Sequence, residues 1–432
     1  MKRLSFLFVL GLIFQSLSTQ AQSKDTLTLM TYNLMYYRET TSFCTNSNNN
    51  ASSKDGYMST IIGHALPDIL VVNELGGGNA ALNSFRLLSN ALNQNGRTFY
   101  NFANAASSGN LANMIYFNNN KLGLHSQSTI TNGANGLPLV RLIDHYILYH
   151  KEPSLAQHQD TTYLHILAAH LKAGSSNADE RERAQATSAV MTYLDNNNID
   201  SNVFFMGDLN LYNSSEPAYQ DLINYTNANY RFRDPVNAPG NWGSTAYASL
   251  HTQSTRTSGG CFAGGGMDDR FDFILASDGV INQQNRVGYL SNTYRTLGQD
   301  GRRYNNSLIF PTNNSAPTAV INALYNMSDH LPVLLDVEVL GPQTTNLYSE
   351  ELANEIKFVN PNSGDLNIQL GSANNLVEEV QIQNMSGQTV GLVQHRGEAK
   401  FKMDIHDLPN GVYFVNFLFN NGNQIVKKLI KI

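Results

Sequence analysis

Between Leu27 and Leu340, short apolar runs alternate with amphipathic segments and with loops rich in Gly, Asn and Ser. This alternation is typical of an α/β domain, in which helices cover the faces of a sheet. The predicted strands are Leu27–Tyr32, Ile69–Val72, Tyr163–Ala169, Val203–Met206, Phe271–Leu275 and Pro332–Val339. Because the pattern persists over most of the chain, we expect one large α/β domain with a sizeable core.

Two helices and two long loops are also predicted. Met58–Ala65 carries apolar residues at helical spacing and stops at Pro67. A second helix begins near Ser176, with acidic residues in its first turn, where they complement the helix dipole. The segments Thr45–Ser53 and Ala238–Gly266 are predicted to be loops, and loops of this length often serve a functional site.

The two ends of the chain differ from this middle part. Residues 1–22 resemble a signal peptide, since Lys2 and Arg3 precede an apolar run that is shorter than the roughly 20 residues of a membrane span. Composition changes to a linker near residue 341, and a tail of short strands with period two follows it. We therefore predict a signal peptide (1–22), a main domain (23–340), a linker (341–356) and a small all-β domain (357–432), with no transmembrane segment after signal cleavage.

Charge and cysteine content restrict the function classes. The chain has 28 Lys and Arg against 34 Asp and Glu, a formal net charge of −6. This excludes a globally basic nucleic-acid binder, so any action on nucleic acid needs a local site or a bound metal. The two cysteines, Cys44 and Cys261, cannot form a dense disulfide framework, and the sequence leaves open whether they pair.

Polar residues stand at the ends of the predicted strands. These residues are Asn33, Glu74, His170, Asp208, Asn210, Asp272, Asp329 and His330. Strand ends on one edge of a sheet converge, so these carboxylates, imidazoles and carboxamides are candidates for one cleft. Hydrolysis of a phosphodiester needs stabilisation of several anionic oxygens, and a hard cation on oxygen ligands supplies it. Glu74 is the best candidate ligand, with Asn33 and Asp329 as further contributors.

Six ordered motifs resemble the endonuclease/exonuclease/phosphatase superfamily, which includes DNase I-like nucleases, inositol phosphatases and sphingomyelinases. The motifs are Thr31-Tyr32-Asn33, Asn73-Glu74, His170-Leu171-Lys172-Ala173-Gly174, Gly207-Asp208-Leu209-Asn210, Arg270-Phe271-Asp272 and Ser328-Asp329-His330-Leu331-Pro332-Val333. The resemblance implies a four-layer α/β sandwich, two packed sheets flanked by helices. It also implies a divalent cation, Mg²⁺ or alternatively Mn²⁺ or Ca²⁺.

The resemblance further implies roles for the remaining residues. Asp208 would deprotonate or orient the attacking water, and Asn210 would hold both the phosphate and Asp208. His170 and His330 would donate hydrogen bonds to phosphoryl oxygens as charge develops. Asp272 would fix the tautomer of His330. Asp268 and Asp269 are neighbouring alternatives, but Asp272 follows Arg-Phe and begins the apolar strand.

The sequence departs from the family pattern at several positions, and these departures restrict the function that the resemblance implies. Met35-Tyr36-Tyr37 follow Asn33, where abasic-site endonucleases have an acid or amide before Gly, and Asn73 stands where relatives often have Gln. A DNA-repair role is thereby disfavoured, and we expect one metal rather than two. Loop residues that are candidates for contacting a sugar or base, with packing as the default alternative, are Tyr36, Tyr37, Arg38, Trp242, His251 and Arg256.

The tail has a resemblance of its own. Val359-Asn360-Pro361-Asn362, Leu408-Pro409-Asn410-Gly411 and Lys427-Lys428-Leu429-Ile430 are similar to the C-terminal sorting domain of the type IX secretion system of Bacteroidetes. The alternative is a carbohydrate-binding or adhesion β-sandwich, which the scarcity of aromatics disfavours. The resemblance implies that the secretion machinery is a partner and that the protein is secreted or lies at the cell surface.

Together these features predict a secreted, Mg²⁺-dependent phosphodiester hydrolase that acts as a nuclease on extracellular DNA or RNA, as a monomer. The first alternative is a phosphatase or phospholipase C-like enzyme acting on lipid or inositol phosphates, since the same core serves both. The second is a surface binding protein that has kept only the fold.

Overall fold

The computed structural model describes residues 23–105, 109–152, 155, 160–341, 352–420 and 424–432. These residues form a large unit that ends near residue 341 and a separate C-terminal unit. The predicted signal peptide and most of the predicted linker lie outside the described residues. Among the helices of the described part of the chain, none is both long and apolar enough to span a bilayer.

The large unit contains thirteen strands and six α-helices among its described residues. The strands are β1 (Lys24–Tyr37), β2 (Ile69–Gly76), β3 (Tyr100–Phe102), β4 (Leu111–Asn118), β5 (Leu122–Asn132), β6 (Pro138–His150), β7 (Tyr163–His170), β8 (Val203–Asp208), β9 (Phe232–Arg233), β10 (Asp272–Ser277), β11 (Val287–Tyr289), β12 (Arg295–Thr296) and β13 (Val333–Leu340). The helices are α1 (Ala51–Ala65), α2 (Ala80–Leu87), α3 (Asn177–Asn196), α4 (Pro217–Ile223), α5 (Asp278–Ile281) and α6 (Thr318–Met327).

Two sheets pack face to face in this unit. The first has the order β11-β13-β1-β2-β4-β3, with β12 also paired to β13, and the second has the order β5-β6-β7-β8-β10-β9. Alternate residues of each strand face opposite sides, which is the two-residue period of a strand. In β7, Ile166 and Ala168 enter the core between the sheets, whereas Leu167 and Ala169 enter a second core under α3 and α4.

Helices cover both outer faces. The apolar residues of α1 and α6 pack on the first sheet, and those of α3 and α4 pack on the second. The layers are therefore helix, sheet, sheet and helix, and the predicted four-layer sandwich is confirmed. Each of the six predicted strands overlaps an observed strand; four agree within two residues at both ends, whereas β1 and β2 extend three to five residues beyond the predicted bounds.

The predicted end of the first helix and the predicted start of the second are confirmed. α1 ends at Ala65, and its C-cap, Leu66, takes a left-handed conformation with φ of 44° immediately before Pro67. α3 begins after Ser176, whose side chain forms a capping box with Asp179. The prediction of a loop over Thr45–Ser53 is wrong at its end, because Asn50 caps α1 and the helix starts at Ala51.

The C-terminal unit is all β, as expected. Its strands are β14 (Lys357–Phe358), β15 (Asp365–Gln369), β16 (Val377–Gln383), β17 (Thr389–Gln394), β18 (Lys400–Asp404), β19 (Gly411–Phe419) and β20 (Gln424–Lys431). They form one sheet of order β14-β15-β18 and one of order β17-β16-β19-β20. A single apolar cluster, including Leu366, Val380 and Phe417, forms the core of this unit.

Candidate active site

The strand registers explain why residues far apart in sequence meet. β7 and β8 are parallel and pair His170 with Asp208, while antiparallel β10 pairs its first residue, Asp272, with Asp208. β1 and β2 are parallel and pair Asn33 with Asn73, one residue before Glu74. Both sheets therefore present their polar strand ends at the same edge of the sandwich.

Asp208 lies close to two of the other predicted residues, Asn33 and His170, at this edge of the sandwich. Its Oδ2 lies 3.0 Å from Asn33 Nδ2 and 3.3 Å from His170 Nε2. Asn33 Nδ2 also donates to Glu74 Oε1 at 3.1 Å, and His170 Nε2 lies 3.8 Å from the same Glu74 oxygen. Glu74, His170 and Asp208 thus form a buried cluster whose ligand atoms all lie within 4.8 Å of one another.

A second cluster shares Asp208 and adds Asp272 and His330. His330 Nδ1 donates to Asp272 Oδ2 at 2.7 Å, so its Nε2 is directed away from Asp272 and lies 3.8 Å from Asp208 Oδ2. Thr252 Oγ1 in turn accepts a hydrogen bond from the Asp272 backbone N–H. The imidazole is therefore held in one orientation by a buried carboxylate, which is an arrangement that fixes a histidine tautomer.

The surroundings of Asp208 and His330 shift the pKa values of these two groups in opposite directions. Burial alone would raise the pKa of Asp208, but His330 and His170 outweigh it and hold that pKa below its ordinary range. Burial alone would lower the pKa of His330, but the carboxylates of Asp272 and Asp208 raise it well above its ordinary value. Both shifts favour the charged forms, a carboxylate on Asp208 and an imidazolium on His330.

Asn210 and Asp329 occupy the margins of the site. Asn210 donates its backbone N–H to Asp208 Oδ1 at 3.1 Å and its Nδ2 to the carbonyl of Leu171. Asp329 belongs to neither cluster; its Oδ2 accepts from the Ala263 N–H at 2.8 Å, and its buried Oδ1 has no hydrogen-bond partner among the described residues. Asp329 nevertheless lies near enough to Glu74 for that carboxylate to raise its pKa, after the larger effect of burial.

The donor set of the first cluster fits a hard divalent cation. Carboxylate and carboxamide oxygens are the ligands that Mg²⁺ prefers, and Glu74, Asp208 and Asn33 bring both types together with His170. Asn33 currently turns its amide nitrogen to both carboxylates, while its Oδ1 accepts from the Met35 N–H at 2.9 Å. Its predicted contribution through oxygen would therefore require the amide to rotate.

Several residues at the site were not predicted from the sequence. Asn73 Oδ1 accepts the backbone N–H of Asp208 at 3.0 Å, and Gln253 Nε2 lies 2.7 Å from His330 Nε2. Arg141 lies near enough to lower the pKa of Asp208. Lys54 is buried against the segment that follows Asn33. Asn73 was noticed only as a neighbour of Glu74, and the other three lie outside recognisable motifs.

Two of the proposed substrate-contacting residues are core residues instead. Trp242 is buried, packs against Tyr219 and Phe273, and donates its indole N–H to the Ala238 carbonyl. His251 is also buried, with both ring nitrogens next to backbone carbonyls. Neither side chain can reach a substrate in the cleft, so that prediction is wrong for both.

The loops beside the site are joined by a disulfide bond between Cys44 and Cys261, with the Cα atoms 4.6 Å apart. Cys44 packs with Met35 and Phe262, so the loop after β1 and the loop that precedes β10 are linked next to Asp329. The question of pairing that the sequence left open is answered, because the fold brings together cysteines 217 residues apart.

Two family models match this chain. Residues 31–234 match the endonuclease/exonuclease/phosphatase family 2, and residues 358–432 match the secretion system C-terminal sorting domain. The first match includes Asn33, Glu74, His170, Asp208 and Asn210 and ends before Asp272. The fold and the strand-end cluster of the large unit agree with the first match. Residues 31–234 of this unit belong to the endonuclease/exonuclease/phosphatase family, joined in this chain to a secretion sorting domain.

Solved structures of low sequence identity are also similar to this chain. The human Nocturnin catalytic domain with bound sulfate is 16% identical, over 73% of this chain and 97% of that chain, with a TM-score of 0.45. D. rerio TDP2 with a single-stranded DNA product is 13% identical over 72% and 98%, with a TM-score of 0.44. An endonuclease/exonuclease/phosphatase from Bacteroides vulgatus is 13% identical over 73% and 99%, with a TM-score of 0.44. No curated protein matches the chain.

Proposed function

We propose that this protein is a secreted, Mg²⁺-dependent phosphodiester hydrolase whose substrate is extracellular DNA or RNA. The observation that carries the proposal is the position of Asp208, which is shared by a cluster suited to a metal and a cluster with a polarised histidine. Metal binding, general-base chemistry and hydrogen-bond donation to phosphate would then act at one point. A binding protein that had kept only the fold would have no need of buried charges at this edge.

The metal would be held by Glu74, with Asn33 and Asp329 contributing directly or through water. When bound, a divalent cation supplies positive charge to the phosphoryl oxygens. The net charge of −6 makes such local charge necessary for any phosphate substrate.

The protein's own residues supply the remaining chemistry. Asp208, whose carboxylate form His330 and His170 stabilise, orients or deprotonates the attacking water. His330 donates from Nε2 to a phosphoryl oxygen, and Asp272 keeps its Nδ1 protonated and its ring in place. His170 donates to a second oxygen from the neighbouring strand end. Asn210 holds Asp208 in position through its backbone N–H.

The two ends of the chain support the proposal that the enzyme is exported. The sorting domain supports export by type IX secretion to the cell surface or the medium, and residues 1–22 would first direct the chain across the inner membrane as a signal peptide. We also propose that the main domain extends over residues 23–340 and acts as a monomer.

The test is a substrate panel with the purified full chain. Plasmid DNA, linear DNA, RNA, sphingomyelin and inositol phosphates are incubated with Mg²⁺, each with and without EDTA. We expect nucleic acid to be cut with Mg²⁺ and to remain intact with EDTA. Release of a headgroup or phosphate from the lipid or inositol substrates, with nucleic acid uncut, would instead establish the phosphatase or phospholipase C-like alternative. Inactivity on the whole panel would contradict both.

A further inference from the structure

Lys54 is a buried lysine in the second turn of α1, with a relative exposure of 1%. Its Nζ donates to the backbone carbonyls of Leu34 at 2.9 Å and Met35 at 2.5 Å. Among the described residues it forms no ion pair within 4.0 Å. Lysine is seldom buried without a carboxylate partner, so this side chain needs a specific explanation.

The two carbonyls belong to an unfavourable stretch of backbone. Met35 and Tyr36 have φ values of 45° and 49°, in the left-handed region that residues with a Cβ rarely adopt. Such a conformation persists only when the surrounding structure imposes it. Asn49 adds to the restraint, since its Nδ2 donates to Met35 O at 3.2 Å and Tyr36 O at 3.0 Å. Two side chains therefore hold three consecutive carbonyls.

The N–H groups of the same stretch point at the candidate metal site. The Tyr36 N–H donates to Glu74 Oε2 at 3.0 Å, and the Met35 N–H donates to Asn33 Oδ1 at 2.9 Å. The carbonyls are held from the α1 side, and the N–H groups orient Glu74 and Asn33 on the other side. Glu74 is itself left-handed, with φ of 59°, so its own backbone also depends on its surroundings.

We propose that Lys54 is a positioning residue for the metal site, which acts by holding the Leu34–Tyr36 backbone so that the Tyr36 N–H fixes the Glu74 carboxylate. This inference rests on the proposed function for the identity of the site. Lys54 touches neither substrate nor metal. Its hydrogen bonds reach the carboxylate through two backbone carbonyls and one N–H, and its charge also interacts with Asp329 and Glu74 through space.

Arg97 provides a matched control for this role. It is also buried, and its guanidinium also donates to backbone carbonyls, those of Leu92, Ala91 and Ser59 of α1. Its partners lie away from the strand ends that form the site. Arg97→Met therefore removes a comparable buried cation, from the same helix surroundings, without loosening the stretch that contacts Glu74.

The first measurement is hydrogen exchange of the Tyr36 amide in the metal-free full chain. In Lys54→Met we expect this amide to exchange about tenfold faster or more, because the stretch opens locally. Arg97→Met should leave its rate unchanged. An unaltered Tyr36 rate in folded Lys54→Met would overturn the inference. Should that variant fail to fold, Asn49→Ala, which releases Met35 O and Tyr36 O, must show the same acceleration.

The second measurement is Mn²⁺ binding by calorimetry with the same proteins. Partners that orient a metal ligand typically change affinity by about 10- to 100-fold, so we expect the Kd for Mn²⁺ to rise by that factor in Lys54→Met and not in Arg97→Met. Faster Tyr36 exchange with an unchanged Kd would refute the positioning role while leaving the proposed function intact. A wild-type chain that binds no Mn²⁺ and cuts no phosphodiester would instead contradict the proposed function.

Discussion

Two ion pairs of nearly equal length lie in very different surroundings. In the large unit, Arg183 Nη2 lies 2.7 Å from Glu216 Oε2, and both side chains are at most 1% exposed. In the C-terminal unit, Lys402 Nζ lies 2.6 Å from Asp365 Oδ2, but those side chains are 55% and 38% exposed. Distance alone therefore does not distinguish a pair on which the fold depends from one that water can replace.

The difference extends to the two units as a whole. The large unit buries further charged groups, such as the Arg270–Asp234 pair, the His330–Asp272 pair and Lys54. In the described part of the C-terminal unit, Lys431 is the one buried charged side chain, beside an apolar core. Burial of charge is costly, and here it occurs mainly in the unit that carries the strand-end cluster. We infer that single charge removals affect the large unit strongly and the C-terminal unit weakly.

The largest effect is expected at the shared carboxylate. Asp208→Ala removes the proposed base and His330→Ala removes the proposed phosphate donor, so each should lower kcat by about 10²- to 10⁴-fold. Steady-state kinetics on the best substrate of the panel measures this. Asp200→Ala is the matched control, because Asp200 is exposed and precedes the opposite end of β8. Unchanged turnover in both site variants would refute the site assignment.

A comparably large effect on stability is expected when the buried ion pair is broken. Arg183 also donates to the carbonyls of Lys172 and Gly174, so Arg183→Met leaves two carbonyls without this donor and the buried Glu216 carboxylate without its countercharge, with only the Tyr212 N–H still donating to Glu216. We expect the free energy of unfolding to fall by about 3–5 kcal/mol. Urea denaturation measures the loss. The double variant Arg183→Met/Glu216→Met should recover part of it, and no recovery would mean that the carbonyl contacts dominate.

How far the sequence predicted this molecule depends on the kind of signal. The strands and their terminal polar residues follow from period and position, because a strand end fixes where Asp208 or His170 must lie. The hydrogen bond between Asp272 and His330 could be proposed from the order of the motifs alone. Sequence order also located the tail and its change to short strands.

Other features depend on distances that no local pattern encodes. Lys54 stands between Ser53 and Asp55, in a polar stretch that suggests solvent exposure, yet tertiary packing buries it. The same stretch forms the start of α1, which begins earlier than predicted. Strand β5 was missed because exposed polar residues such as Ser126 and Ser128 obscure its pattern. Trp242 was mistaken for a loop contact because a long irregular segment can still supply core residues.

A smaller, pH-dependent effect on stability is expected at the buried His145 of the large unit. His145 Nε2 lies 3.0 Å from His165 Nδ1, and burial followed by the charge of His165 lowers the pKa of His145 to about 3. Since the unfolded histidine titrates near 6.5, the unfolded chain binds more protons between these values. Stability should therefore be lost as pH falls below about 6.5, by at most about 1.4 kcal/mol per pH unit.

The variant His145→Phe isolates this contribution. Neighbouring Asp144, whose pKa burial raises to about 7, acts in the opposite direction, so the wild-type profile alone is ambiguous. We compare urea midpoints of wild type and variant from pH 7 to pH 5 and expect their difference to change in favour of the variant as pH falls. Parallel profiles would show that His145 does not contribute. Substitution of exposed His64 by Ala should leave the profile unaltered.

The smallest effect is expected at the exposed pair of the C-terminal unit. Lys402→Ala removes the 2.6 Å contact to Asp365, yet both groups remain accessible to water, which solvates the carboxylate once the ammonium is gone. Exposed pairs contribute between about 0 and 1 kcal/mol, and salt screens even that. Hydrogen exchange of β15 and β18 in the full chain should therefore differ little from wild type. The contradicting outcome is a loss of protection in β15 and β18 as large as the loss in α3 caused by Arg183→Met. Exposure would then not explain the contrast between the two ion pairs, and the stability of the C-terminal unit would depend on charge as that of the large unit does.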